Sequence, residues 1–221
     1  MSWSIDGAYA RCDALAIEGL AHGFGLRSTK PPLNLAATLR QVHGGRVVQA
    51  SATDPEGADA DGVWERLDSL NGRGLAVRTA DCVPILLATR DASLVAAVHA
   101  GWRGTAGSIV RRAVESLAAA GAGPATLVAA IGPSIGPCCY PVSVEVAAEL
   151  TAVSGITVAP AAADLREVNR SQLLAAGIPT KSIHSAPWCT SCEAGLFHSH
   201  RRDGAAAGRQ WSLIGPSAAL P

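Results

Sequence analysis

Three side chains in the middle of this sequence have the types and spacing for metal or nucleophile chemistry. Cys82 stands at the start of the apolar run VPILLAT, and His99 stands at the end of the next run, LVAAVHA. The two runs are joined by the short polar link TRDAS, which suits a hairpin. Hairpin pairing sets the start of the first strand against the end of the second. Cys82 and His99 are therefore expected opposite or diagonal to one another, roughly 5–8 Å apart. Such a pair has two chemical readings. One is an open zinc site that still lacks a third protein ligand and a water. The other is a Cys–His pair in which the imidazole activates the thiol as a nucleophile. A buried thiol beside a hydrogen-bonded core histidine is the plainer alternative. Asp81 adds a carboxylate at the same strand mouth. After His99 the chain runs Ala-Gly-Trp-Arg-Gly-Thr into a helical pattern, so Arg103 and the helix start at 104–105 are expected to cradle an anion.

The elements that would carry these residues follow from pattern. Strands are expected near 75–79, 83–89 and 94–99, apolar throughout, which implies a sheet covered on both faces. Residues 105–120 read as one helix with Ile109, Val110, Ala113 and Leu117 on one side, capped by Thr105 or Ser108. Further strands are expected at 45–50, 126–131, 181–186 and 209–214. Ser143 is expected to cap a helix running through about Leu150, and Asp164 one running through about Ala176. Residues 51–62 read as a loop. The pattern is mixed α/β or α+β in a single domain spanning 1–221.

Composition narrows the function. The 221 residues carry 18 basic and 18 acidic side chains, which gives no electrostatic case for a nucleic-acid partner. No segment has the roughly 18 uninterrupted apolar residues of a membrane span, and the first residues lack a secretory pattern. A cytoplasmic, reducing location is therefore expected, in which the six cysteines are thiols or ligands before they are disulfides.

Several separated blocks together are similar to the laccase-domain family: LRQVHGGRV, RTADCVPILL, AAVHAGWRGT, AAIGPSIGPCCYPVSVEV and CTSC…FHSHRRDG…GRQWSLI. Its members are called polyphenol oxidases, purine nucleoside phosphorylases or peptidoglycan editing factors. The resemblance implies a four-layer α-β-β-α sandwich with mixed sheets. It implies that His43 joins Cys82 and His99 as a third metal ligand, and that His43, Cys82, His99 and Asp81 form the catalytic set. Arg103, Arg201, His198, Asn34 and Arg46 are the candidate substrate contacts. The expected cofactor is Zn²⁺, with Cu²⁺ able to enter the same N/S site. The expected substrates are a purine nucleoside and phosphate, for phosphorolysis or deamination, by a monomer or homodimer. The alternative is a Cys–His or zinc hydrolase that edits peptidoglycan precursors. A multicopper oxidase needs several His-x-His pairs. This chain has six histidines and one such pair, His198 and His200, so polyphenol oxidation ranks behind both.

One departure from the family stands out. A helical segment usual between the S-L-N-L block and Q-V-H-G is missing, since Leu35 is followed almost at once by Arg40 and Gln41. Elsewhere, Cys189 and Cys192 read as structural or mildly redox-active thiols rather than ligands, Cys138 and Cys139 as buried thiols near the pocket wall, and Arg201, Arg202 and Asp203 as an internal salt bridge. His22 and His184 read as structural.

Overall fold

The computed structural model describes residues 3–53 and 57–219. Two stacked sheets form its centre. One is antiparallel, in the order β1 (Trp3–Asp6), β2 (Tyr9–Cys12), β3 (Leu20–Gly25), β13 (Gln210–Pro216), β8 (Leu75–Thr79). The other is mixed, in the order β12 (Ile183–Ser185), β11 (Leu127–Ile131), β9 (Val83–Thr89), β10 (Leu94–Ala100), β7 (Gly62–Arg66), β5 (Val47–Gln49). Its two edge pairings, β11 with β12 and β5 with β7, are parallel. A small parallel pair joins β4 (Leu39–Arg40) to β6 (Ala58–Asp59), and β6 lies within the 51–62 stretch expected to be loop. Of that 51–62 stretch, residues 54–56 lie outside the described residues.

The unbroken apolar runs of β9 and β10 are explained by what covers each face. Alternate residues sort into different cores, as strand geometry requires. Val83, Ile85, Leu87, Ala96 and Val98 face the helices. Leu86, Ala88, Val95 and Ala97 face the five-stranded sheet, where they meet Phe24, Leu75, Val77 and Ile214. The helical layer comprises α1 (Trp102–Ala106), α2 (Ile109–Ala119), α3 (Val144–Ser154) and α4 (Leu165–Ala175). Ser143 and Asp164 cap the last two by accepting backbone N–H groups, as expected.

Three details differ from the expectation. The strand at 75–79 belongs to the other sheet from its two successors, so the chain crosses between sheets at Ala80–Cys82. The single helix 105–120 is two: the chain breaks at Gly107 and at Ser108, whose φ is +55°. Neither Thr105 nor Ser108 is a side-chain cap. Ser108 makes no capping bond, and the buried Thr105 hydroxyl accepts instead from Asn169 Nδ2 at 3.0 Å. The sandwich itself is as expected, but its helices α1–α4 all lie on the six-stranded side. Among the described residues, the outer face of the five-stranded sheet, with Ala76, Trp211 and Leu213, is covered by Leu35 and a 3₁₀ turn at Ser217–Ala219. That thin cover lies beside the place where the family's usual helical segment is missing.

Candidate metal centre

The inter-sheet crossover makes the site. Asp81 adopts a φ of +88° in the turn, a conformation costly for a residue with a Cβ, and Cys82 emerges at the seam between the sheets. In the hairpin His99 pairs with Pro84, which places Cys82 diagonally across from it, as its sequence position suggested. His43 arrives from the loop before β5, also with a positive φ, of 59°. The ligand atoms of His43, Cys82 and His99 lie within 4.8 Å of one another. The two imidazole rings meet edge to face at 4.8 Å between centroids.

Asp61 holds this arrangement together, and sequence reasoning missed it. Its side chain is fully buried. His99 Nδ1 donates to Asp61 Oδ1 at 2.8 Å, which turns Nε2 toward Cys82 and fixes the tautomer. The backbone N–H groups of His43 (2.9 Å), Gly44 (2.7 Å) and Val42 (3.3 Å) donate to the same carboxylate. One buried anion therefore orients one histidine by its ring and the other by its backbone. Burial works against ionisation of Asp61, yet the His99 ring and the N–H groups of Gly44 and His43 more than offset it and hold the carboxyl below its ordinary range. The signal was present in GADADG, an acidic residue directly before an apolar strand, but the stretch reads as loop.

The electrostatics suit metal binding. Burial opposes ionisation of Cys82, but hydrogen bonds and charge from His43 and His99 outweigh it and bring the thiol down to about 6. His99 is driven the other way. Desolvation lowers its pKa, while Asp61 and Cys82 raise it further, to about 9. Two imidazoles and a thiolate are a donor set that fits Zn²⁺ or Cu²⁺. Gly101 keeps the space between them clear: a Cβ there would lie 3.1 Å from both Cys82 Sγ and His43 Nδ1. Gly104 has a separate reason, since a Cβ would come within 2.8 Å of the Gly44 carbonyl. The absent side chain at position 101 thus fits the ion as well as the turn.

A cavity of about 220 Å³ opens beside Cys82, lined by Ala80, Asp81, Ile135, Tyr140, Leu165, His200 and Arg201. The Arg201 guanidinium lies 5.2 Å from the Tyr140 ring centroid. Burial raises the Tyr140 phenol pKa, and the Cys82 charge raises it further. Larger depressions lie elsewhere, about 530 Å³ beside Ala36–Thr38 and Ser69–Arg73, and about 650 Å³ beside Ser28–Asn34. Among the described residues, neither contains a cluster of metal-ligating side chains.

The remaining candidates divide clearly. Arg201 lines the cavity; its neighbour Arg202 pairs with Asp203 at 2.8 Å, so the expected triplet is a pair. His200, which sequence reasoning did not single out, lines the cavity, whereas the ring of His198 packs against Gly208. Asp81 accepts from Thr190 Oγ1 (2.7 Å), Ser199 Oγ (3.1 Å) and the Arg201 N–H (2.7 Å), so its carboxylate anchors the opposite wall. Arg103 is exposed and stacks on Trp102 at 4.5 Å. The expected cradle at 104–105 is not formed: both residues are buried inside α1, and the Thr105 N–H is bonded to Gly101 O. Asn34 lines the separate 650 Å³ depression, and Arg46 donates to the Asp59 carbonyl on the surface. Cys138 is exposed and Cys139 half-buried, against the expectation of buried thiols, and both stand beside Cys189 and Cys192. His22 is buried and accepts the Cys12 N–H at 3.0 Å.

Comparison with known proteins places the chain in a family. The chain is 39% identical over 205 residues to purine nucleoside phosphorylase YlmD of Geobacillus stearothermophilus, covering 83% of this chain and 73% of that protein. It is 37% identical over 190 residues to adenosine deaminase RL5 from an unknown prokaryotic organism, covering 79% and 72%. The crystal structure of the Geobacillus YlmD superposes with a TM-score of 0.80 at 31% identity, over 96% of this chain and 97% of that one. Residues 26–217 match the family described as multi-copper polyphenol oxidoreductase laccase, and the chain belongs to that family.

Proposed function

We propose that this protein is a zinc-dependent enzyme acting on purine nucleosides, by phosphorolysis of inosine, guanosine or adenosine and by deamination of adenosine. The observation that carries the reading is the convergence of His43, Cys82 and His99 around a space kept free by Gly101, with Cys82 also lining a cavity that Arg201 borders. The names of the relatives support the substrate class. His43, Cys82 and His99 would hold the ion. With its thiol near pKa 6, Cys82 is ready to ligate at neutral pH, whereas His99, near 9, would release a proton as the ion binds. When bound, the ion supplies Lewis acidity to the reacting centre. The apolar wall of Ile135, Tyr140 and Leu165 takes the flat base, and Arg201 offers the cation an attacking phosphate requires. Asp81 serves by positioning, since its oxygens are already engaged by three donors.

The test is direct. The zinc-loaded protein with inosine and phosphate should give hypoxanthine and ribose 1-phosphate, and with adenosine it should give inosine and ammonia. No product from either substrate at full zinc occupancy refutes the proposal.

One observation favours a second reading. Cys82, His99 and Asp61 stand in the order thiol, imidazole, carboxylate, the arrangement of a cysteine hydrolase. Editing of a peptidoglycan precursor would use Cys82 as nucleophile. That activity would survive chelation and be trapped by iodoacetamide, whereas the metal-dependent reaction stops when the ion is removed.

A further inference from the structure

Four of the six cysteines meet at one place, outside the centre described above. Cys138 and Cys139 lie in a 3₁₀ turn at Pro137–Cys139, and Cys189 and Cys192 in the turn after β12. The four sulfurs all lie within 4.8 Å of one another. Cys192 Sγ is 3.6 Å from Cys138 Sγ and 3.5 Å from Cys139 Sγ. A tetrahedral zinc tetrathiolate with Zn–S bonds of about 2.3 Å has sulfur–sulfur edges of about 3.8 Å. The observed spacings match that figure and exceed a disulfide bond of about 2.05 Å by far.

The surroundings are those of a ligated thiolate cluster. The Gly136 N–H donates to Cys189 Sγ at 3.2 Å, the contact that neutralises part of a thiolate's charge. Arg166 and Arg202 flank the cluster: Arg166 donates to the carbonyls of Ala186 and Trp188, and Arg202 to those of Thr190 and Ser191. Each of the two guanidinium groups is also paired with its own carboxylate, Arg166 with Asp164 and Arg202 with Asp203, which fixes the positively charged side chains beside the cluster. Cys189 is buried, while Cys138 and Cys192 are exposed, which leaves an entry path for the ion. Two cysteines spaced C-x₂-C supply half the set, the usual spacing of structural zinc knuckles. Sequence reasoning discounted them because the nearby His198 and His200 are spaced too closely to complete a zinc ribbon, and it read Cys138 and Cys139 separately as buried thiols.

We propose that Cys138, Cys139, Cys189 and Cys192 bind a structural Zn²⁺ ion. Its place in the fold gives it a role. The first turn carries Ile135 and Tyr140 of the cavity wall, and the second carries Thr190 and leads to Ser199 and Arg201, which hold Asp81. The ion clips the two walls of the cavity together.

Metal counting on the full-length purified protein tests this, independently of any enzymatic activity. Wild-type protein, stripped with a chelator under reducing conditions and titrated with Zn²⁺, should bind two ions per chain. Cys82→Ala should bind one, and Cys189→Ser/Cys192→Ser should bind one at the other centre. Cys82→Ala loaded with Co²⁺ should show the intense visible bands and sulfur charge-transfer absorption of a tetrathiolate. In Cys82→Ala Zn²⁺ should protect four thiols from Ellman's reagent, and in wild-type protein these four and Cys82, a readout that stands even where the double variant fails to fold. A Cys82→Ala chain that binds no Zn²⁺, or a disulfide linking Cys192 to Cys138 or Cys139 in protein purified under reducing conditions, overturns the assignment. So does iron in place of zinc. Loss of nucleoside turnover with both ions still bound would refute the proposed function and leave this site intact.

Discussion

Replacing Asp61 with asparagine isolates the residue on which both histidines depend. In the native site Oδ1 accepts from His99 Nδ1 and the His43 N–H, and Oδ2 from the N–H groups of Gly44 and Val42. An asparagine that keeps its oxygen toward His99 turns its NH₂ group toward Gly44 and Val42, donor against donor. Leaving the Gly44 N–H unpaired costs about 1–3 kcal/mol of stability, and Val42, being exposed, recovers part of its loss from water. Loss of the charge also makes His99 a weaker ligand and frees its ring to turn. Changes to such outer carboxylates lower metal affinity or activity about 10–100-fold, or about 1.4–2.7 kcal/mol. The assay is a zinc titration of Asp61→Asn against a chromophoric chelator, alongside thermal unfolding. Asp59→Asn provides the comparison, since Asp59 lies on the same acidic stretch and pairs with the exposed Arg40. A folded Asp61→Asn protein whose affinity at the His43–Cys82–His99 centre stays within twofold of wild type would refute the positioning role.

The other expectations concern single groups. Cys82→Ala should lose the ion at its own centre together with nucleoside turnover while keeping the fold, as read by metal analysis, product formation and circular dichroism; unchanged turnover rejects the ligand role. Gly101→Ala places a methyl group 3.1 Å from both Cys82 Sγ and His43 Nδ1 in an ordinary backbone conformation, so metal affinity should fall with little loss of melting temperature. In metal-free protein, alkylation of Cys82 followed by peptide mass spectrometry should have its midpoint near pH 6; a midpoint in the ordinary thiol range removes the imidazole effect. Burial, followed by the Arg11 charge, pushes His22 down to about 4, so this side chain is neutral in the fold. Its folded pKa lies below the unfolded value of about 6.5, so its contribution is full above that pH and is lost as pH falls through about 4, roughly 3 kcal/mol in all. His22→Gln keeps an acceptor for the Cys12 N–H and should flatten the slope of denaturant stability over that range; an unchanged slope assigns it to another group.

Much of the site was legible because strand pairing is nearly deterministic over a short hairpin. Apolar runs of equal length around a five-residue polar link place Cys82 and His99 together whatever the rest of the fold does. His43 came only through resemblance, because no local rule connects a loop before one edge strand to a central hairpin. Asp61 escaped for a related reason: a buried acid and a solvated loop acid look alike until the donors around it are known. The helix at 105–120 was misread because propensity ignores the close approach of Gly104 to the Gly44 carbonyl, which sets the first turn apart. The four-thiol cluster was hidden by topology. Its halves are adjacent only because the parallel pairing of β11 with β12 and the bridge between Ser134 and Cys189 lay two loops side by side.

The passage of the chain from β8 to β9 through Ala80–Cys82 puts the sheet crossover at the wall of the site rather than between its ligands. Cys82 stands directly before β9, and His99 lies on β10, its antiparallel partner in the same sheet, so one hairpin sets the sulfur-to-imidazole spacing. Asp81, in the crossover itself, is held by Thr190, Ser199 and the Arg201 N–H. A substitution that shears the sheets, even one remote in the interface such as Phe24 or Leu86, therefore displaces the cavity wall before it parts the ligands. The width of the cavity, more than the hold on the ion, is thus a gauge of how squarely the two sheets are seated.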